Sequence, residues 1–319
     1  MTKILTKYSF IIGFIILALI AWKMDFSTIF ESLKNANYVL ALMATLLVIP
    51  LLFIKSWRWN YLKNVQGIKY KLVDSFIIYN IGFLIGIITP GKIGEITKIF
   101  YLKKENFSTG KLMVSIFMDR FFDIIYLLIF GYIGIIISLR ELQEKINYIY
   151  LIAIILIIIL AIATRSGLYK LLLKKTFYLI IPEKYQLKWR TNFSDFWSDL
   201  KLIKFKSYLI GSLFTISTWL LYYFQVNLFA QSINLNIPFF PLAIAATVSI
   251  LIALLPLSIL GIGTREAVLI IMLGSFTNDF SKLVILSQLI LLANVVSAFI
   301  GVICWRIKPL PINVLKNEG

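Results

Sequence analysis

The stretch from Ile81 to Leu102 reads IGFLIGIITPGKIGEITKIFYL. An apolar run stops at Thr89-Pro90-Gly91, turns, and resumes as a helical pattern that carries Glu95. Pro90 stops the entering helix because it has no N–H to donate and crowds the preceding turn. Gly91 and Gly94 permit a tight reversal. A second stretch, Leu251 to Leu273, reads LIALLPLSILGIGTREAVLIIML and repeats the plan. Its apolar run meets Pro256, breaks around Gly261 and Gly263, and resumes with Arg265-Glu266. Two broken apolar segments in corresponding positions of two halves point to a substrate path near a membrane midplane. The plainer alternative is a pair of kinked helices. Length argues for hairpins: Val73 to Ile88, at 1.5 Å per residue, reaches roughly 24 Å, short of a hydrocarbon core of ~30 Å.

Composition sets the class. Of 319 residues, 60% are hydrophobic and 15% charged, which reads as a polytopic all-α membrane protein. Histidine is absent, which excludes His-based acid–base chemistry, phosphohistidine and His metal ligation. The single cysteine, Cys304, allows no intrachain disulfide. The net charge of +17 fits basic loops beside apolar spans better than nucleic acid.

Taken in order, Tyr8–Trp22 reads as an uncleaved first span and Asp25–Asn37 as an interfacial amphipathic segment. Tyr38–Ile54 is the second span, with a kink at Pro50. Lys55, Trp57, Arg58, Trp59 and Lys63 form an aromatic and basic boundary belt. Gly82 and Gly86 make a G-x-x-x-G pair suited to close helix contact. Leu112–Leu139 carries Asp119, Arg120 and Asp123; Arg140–Lys145 is a polar turn and Asn147–Ala163 a charge-free span. Residues 165–206 hold ten Lys/Arg against three acids and read as surface helices; spans at Tyr208–Ala230 and Leu283–Trp305 flank the second broken segment. Trp57, Trp59, Trp189 and Trp197 read as interface anchors.

The expected architecture is therefore one transmembrane domain, 1–319, of about six full spans plus two re-entrant hairpins. Its first half, about 1–145, holds the hairpin 73–102. Its second half, about 207–306, holds the hairpin 239–275. Placing both termini in the cytoplasm puts twenty-five of the 32 Lys/Arg on the cytoplasmic side and five outside. The hairpins then enter from opposite faces, as in an inverted repeat.

Glu95, Asp119, Arg120, Asp123, Arg265 and Glu266 are the ionisable residues in or near apolar segments. Such groups are costly in lipid, so they face the bundle interior with partners. Asp119 and Asp123 share one helix face. The expected pairs are Asp119 or Asp123 with Arg265, and Arg120 with Glu95 or Glu266. These six line the expected substrate path, with Thr89, Pro90, Gly91, Gly94, Pro256, Gly261 and Gly263 at the hairpin tips. A static ion-pair lattice is the bland alternative. No Walker loop, H-E-x-x-H, Cys/His cluster or G-x-S-x-G is present, so neither a metal nor a cofactor is expected.

T-P-G-K-I-G-E at 89–95, D-R-x-x-D at 119–123 and L-P-x-x-x-L-G-I-G-T-R-E at 255–266 resemble the lysylphosphatidylglycerol synthase transmembrane-domain family of flippase-like integral membrane proteins, over about residues 5–305. Lys92 departs from the pattern, since family members often have a second glycine there. In the multiple peptide resistance factor this region is fused to a cytoplasmic aminoacyl-transferase domain, and the membrane part flips the aminoacylated lipid. With Gly319 shortly after the last span, the resemblance implies a stand-alone flippase or scramblase and no enzyme. Its cargo is then an anionic, aminoacylated or polyprenyl-linked lipid in the cytoplasmic membrane, with a separately encoded glycosyl- or aminoacyl-transferase as a partner. The rival readings are a secondary transporter of a small polar solute, a lipid-phosphate enzyme using Asp119, Asp123 or Glu95, and a non-catalytic membrane subunit.

Overall fold

The computed structural model describes residues 34–102, 107–138, 194–254, 258 and 260–309. Every regular element among them is helical: α1 (Tyr38–Leu46), α2 (Val48–Val65), α3 (Leu72–Ile87), a 3₁₀ helix (Pro90–Thr97), α4 (Lys98–Leu102), α5 (Thr109–Ser138), α6 (Phe205–Ser232), α7 (Phe239–Leu254), α8 (Thr264–Leu273) and α9 (Phe280–Ile307). A further short helix covers 194–200. The spans expected at Tyr8–Trp22 and Asn147–Ala163, the turn Arg140–Lys145, Pro256, and most of the segments Asp25–Asn37 and 165–206 lie outside the described residues.

Asn37 starts α1, its side chain accepting from the N–H groups of Val39 and Leu40 at 3.1 Å. The helix then breaks at Leu47, three residues before Pro50. Proline cannot donate into the preceding turn and clashes with the carbonyl four residues back, so the expected kink falls there. Among the described residues, three helical stretches are long and apolar enough to cross a membrane: Tyr38–Val65, Phe205–Ser232 and Phe280–Ile307, each of 28 residues. At 1.5 Å per residue each is roughly 42 Å long, more than a hydrocarbon core requires. α3 and α7, at 16 residues each, are apolar and too short for it.

Lipid-facing surface shows as exposed apolar stripes at helical spacing. On α6 the stripe is Phe205, Leu209, Leu213, Ile216, Leu220 and Phe224. On α9 it is Leu292, Val295, Phe299, Val302 and Ile303. A helix that turns its apolar stripe outward and its polar residues inward is solvated by hydrocarbon.

The two halves exchange their interrupted segments. α3 packs chiefly on α9, the long helix after the second break, and α7 packs on α5, the long helix after the first. Gly301 of α9 makes the first contact close: a Cβ there would stand 2.7 Å from Cβ of Leu84 and 2.8 Å from the carbonyl oxygen of Asn80. Gly134 of α5 does the same against Ile244 of α7, at 2.4 Å. The helices that precede the breaks, α1–α2 and α6, pack on each other. Each half therefore supplies a long helix, a broken segment and a second long helix, and neither broken segment is covered by its own half alone.

One expectation is overturned here. α2 does not end near Ile54; it continues to Val65 and takes the supposed boundary belt inside. Arg58, Trp59 and Lys63 are fully buried, and Trp57 alone of the Trp pair faces outward. The stripe Val48, Leu52, Ser56, Trp59 and Lys63, with Leu51, Arg58 and Leu62 beside it, keeps 3–4 spacing straight through the charges, so the helix buries that face throughout.

Candidate functional site

The first break folds back on itself. Thr89 stands before Pro90, which occupies the first turn of the 3₁₀ helix. The Thr89 hydroxyl donates to the carbonyls of Ile85 and Gly86 at 3.0 Å and accepts from the Gly94 N–H at 2.8 Å. It thereby ties the end of α3 to the returning strand of chain. Left-handed backbone in this turn falls on Lys92, with φ 57°. Gly94 serves by lacking a side chain, since a Cβ would sit 2.4 Å from the Ile85 carbonyl oxygen.

The glycine pair of α3 has a different partner from the one expected. A Cβ on Gly82 would meet Lys98 Cγ at 2.5 Å, and one on Gly86 would meet Glu95 Cγ at 2.7 Å. The two glycines form a groove for the side chains of the returning segment, not for another long helix. Glu95 and Lys98, paired at 2.8 Å, lie in that groove. The Lys98 ammonium also sits over the Tyr79 and Trp59 rings, at 4.1 and 5.4 Å.

Beside the groove lies a buried ionic cluster. Arg58 donates to Asp119 Oδ1 at 2.7 and 3.0 Å, to the Asp119 carbonyl at 3.0 Å, to Asp123 at 2.8 Å and to Thr215 at 2.8 Å. All five guanidinium N–H groups are thus used, in a residue with no exposure. Arg120 pairs with Glu95 at 2.8 Å and lies 3.4 Å from Asp119 and 3.9 Å from Asp123. Lys98 completes the ring 3.8 Å from Asp119. Three cations face three carboxylates, so the cluster is neutral as a whole. That neutrality is what makes so many charges tolerable away from water.

The second break uses another device. Leu260, Gly261 and Gly263 take positive φ values of 60°, 75° and 82°. Glu266 reaches back to accept the Gly263 N–H at 2.7 Å, which caps α8. Its other oxygen accepts from Ser287 at 2.8 Å and Gln288 at 2.9 Å on α9. The Arg265 guanidinium donates to the Leu260 carbonyl and, at 3.2 Å, to that of Ser287. Pairing is therefore as expected for Arg120 with Glu95 and different for the rest. Asp119 and Asp123 take Arg58 in place of Arg265, and Arg265 and Glu266 are held by neutral groups.

Both breaks line one cavity of about 160 Å³. The first contributes Thr89 and Lys92, the second Ser258, Leu260 and Arg265, and α2 contributes Lys55. Among the described residues, three cations face this space and no carboxylate does. Neither Lys55 nor Lys92 has an ion pair among the described residues. Each lies over an aromatic face instead, Lys55 above Trp219 at 5.3 Å and Lys92 above Phe83 at 5.5 Å. Trp219 is itself held by Tyr126, stacked at 6.1 Å with 6° between the planes, and its buried indole N–H has no hydrogen-bond partner among the described residues. Thr89, Thr218, Ser297 and Asn294 also line the cavity; the three hydroxyls and one amide N–H of Asn294 donate to carbonyls about one turn back in the chain. The site presents strong positive donors with neutral polar oxygens around them.

Of the six residues expected on the path, Arg265 lines the cavity. Glu95, Asp119, Arg120 and Asp123 gather in the ionic cluster, and Glu266 caps α8. Of the expected tips, Thr89 lines the cavity, Gly94 sits against α3, and Gly261 and Gly263 shape the second turn. Sequence reasoning missed Lys55, Arg58, Lys92 and Lys98 as interior cations. The signal for the α2 pair was the unbroken helical stripe from Val48 to Leu62. For Lys98 it was the i, i+3 spacing to Glu95 opposite two glycines one turn apart.

An all-helical integral membrane protein, with two interrupted helices meeting at a cationic cavity, is the class that fold and site define. The chain belongs to the family described as the lysylphosphatidylglycerol synthase TM region, which it matches over residues 8–302. It is 23% identical over 281 residues to a UPF0104 membrane protein of Methanocaldococcus jannaschii, covering 83% of each chain. It is 26% identical over 190 residues to a UPF0104 membrane protein of Pyrococcus horikoshii, covering 56% of each. No solved structure matches it.

Proposed function

We propose that the protein moves an anionic lipid between membrane leaflets by passing its headgroup through this cavity while the tails stay in lipid. The observation that carries the reading is the lining: Lys55, Lys92 and Arg265 from three separate elements, with no carboxylate among them. A cationic, partly enclosed space attracts and holds an anion more strongly than the same charges in water. At about 160 Å³ the cavity is well below the ~300–1,000 Å³ of pockets that swallow drug-sized ligands, so it suits a headgroup and not a whole lipid.

In this reading both broken segments are re-entrant hairpins and the halves form an inverted repeat. The exchange of α3 onto α9 and α7 onto α5 supports it. The termini are cytoplasmic and the membrane is the cytoplasmic one. The chain acts as a carrier and not as a catalyst. Its cargo is an anionic lipid or a glycosylated (polyprenyl-linked or aminoacylated) one, held by its phosphate and made by a separately encoded transferase. The ionic cluster is the scaffold of the path and the cavity is its binding step. A second reading, a transporter of a small polar solute, is favoured by the modest cavity volume alone.

Leaflet exchange of fluorescent phosphatidylglycerol, its lysyl ester and a polyprenyl-phosphate sugar in liposomes containing the purified protein tests the proposal. Exchange of one class that falls in Lys55→Ala and Arg265→Ala supports it. A folded protein that exchanges none of them sinks it in favour of the solute carrier.

A further inference from the structure

Among the described residues, the charges around the cavity do not balance. The cluster of Arg58, Lys98 and Arg120 with Glu95, Asp119 and Asp123 is neutral, three against three. Arg265 and Glu266 are consecutive and offset each other. What is left is Lys55 and Lys92. Both line the cavity, neither has an ion pair among the described residues, and no acid joins them on its walls. Unpaired charge in a membrane interior is costly and by default marks a site that a ligand completes.

Lys92 carries a second mark. It holds φ at 57°, a region that residues with a side chain seldom occupy. Strain of that kind persists where the surroundings impose it, and it concentrates at functional turns. Here it directs the backbone so that the lysine lines the cavity, above the face of Phe83. The buried indole N–H of Trp219, with no partner among the described residues, adds a donor in the cavity wall.

We infer that the cavity is built for a dianionic phosphate group, a phosphomonoester or its equivalent, with Lys55 and Lys92 as the two residues that select it over a singly charged phosphodiester. This rests on reading the cavity as the cargo site. A diester would leave one of the two lysines uncompensated, whereas a monoester, at close to two negative charges above its second pKa of about 6, would neutralise both.

The test is equilibrium binding at pH 8 to the full-length protein in mixed micelles. Dioleoyl phosphatidic acid and dioleoyl phosphatidylglycerol share tails and differ in phosphate charge; glycerol 3-phosphate is the soluble competitor. Phosphatidic acid should bind about tenfold tighter, one extra charge pair in a partly buried site. Lys92→Gly should bring the two lipids to within about twofold of each other, while melting no lower than the parent, because it removes both the strained backbone and an unpaired charge. Lys55→Gln is the independent arm on α2 and should erase the preference likewise. Competition by glycerol 3-phosphate supports the dianion with the headgroup sufficient; no competition, with phosphatidic acid still preferred, supports it on a lipid. Equal binding of the two lipids overturns the inference, as does a Lys92→Gly protein that melts lower and loses both lipids together. Selective binding without leaflet exchange would retire the translocation proposal and keep this one. Exchange of phosphatidylglycerol with no preference for the monoester would do the reverse.

Discussion

Arg58 on α2 and Asp119 on α5 meet at 2.7 Å with neither side chain exposed. Sixty-one residues separate them in the chain, and the pair joins the helix before the first break to the helix after it. The same arginine holds Asp123 and Thr215, so three long helices are fastened at one guanidinium.

Arg58→Ala should therefore be among the most damaging single changes. It strands two buried carboxylates, an effect of about 3–5 kcal/mol. Arg58→Lys should rescue little, because an ammonium cannot reproduce the planar fork that serves Asp119, Asp123 and Thr215 together. Unfolding midpoints of purified protein in detergent check both; a Lys variant as stable as the parent would contradict the account.

Lys55→Ala should behave in the opposite way. Lys55 shares α2 with Arg58 but has no ion pair among the described residues. Its removal should leave the melting midpoint unchanged or raised, since it relieves an unpaired interior cation. Lipid exchange, measured on the same preparation, should fall. Parallel loss of stability and exchange would make Lys55 structural.

Glycines of the first break should differ in tolerance. In Gly94→Ala the new methyl meets a backbone carbonyl at 2.4 Å, which cannot rotate away. In Gly82→Ala it meets the aliphatic stem of Lys98 at 2.5 Å, which can bend aside at the expense of the Glu95 pair. Both should destabilise by about 1–3 kcal/mol, with Gly94→Ala at the upper end. Expression level and thermal midpoint give the ranking.

Glu266→Ala should weaken the second break without touching the first. It removes the acceptor for the Gly263 N–H and leaves Ser287 and Gln288 without a partner. The loss of the cap alone is worth about 1 kcal/mol. Hydrogen exchange should rise at residues 261–273 and stay flat at 85–98; protection lost at both breaks would mean that Glu266 reaches further than its contacts indicate.

How much of this was legible follows from the range of each interaction. The two breaks were visible because proline and glycine act locally, on the turn where they sit. The Asp119–Asp123 face was visible because helical spacing is local too. The partner of that face was not, since Arg58 sits in a basic run that the rule for cytoplasmic loops reads as a boundary. Charge counting gives a side of the membrane and is silent on whether a given lysine or arginine snorkels outward or turns in. The glycine pair at 82 and 86 was read as a contact for another helix, because the motif says that something approaches and not what. Lys92 was noticed as a departure at the tip; its φ and its place in the cavity depend on how Thr89 ties the turn to α3. The packing of α3 on α9 and of α7 on α5 is a property of the tertiary structure alone and left no trace in either segment.

The claim that both breaks meet at one cationic cavity is tested most directly by charge-selective labelling. With Cys304 replaced by serine, Asn294→Cys places the single thiol in the cavity wall on α9. An anionic methanethiosulfonate reagent should modify it about tenfold faster than a cationic one of similar size. The difference should collapse when Lys55, Lys92 and Arg265 are neutralised in turn. Equal rates for the two reagents, or faster modification by the cationic one, would contradict it.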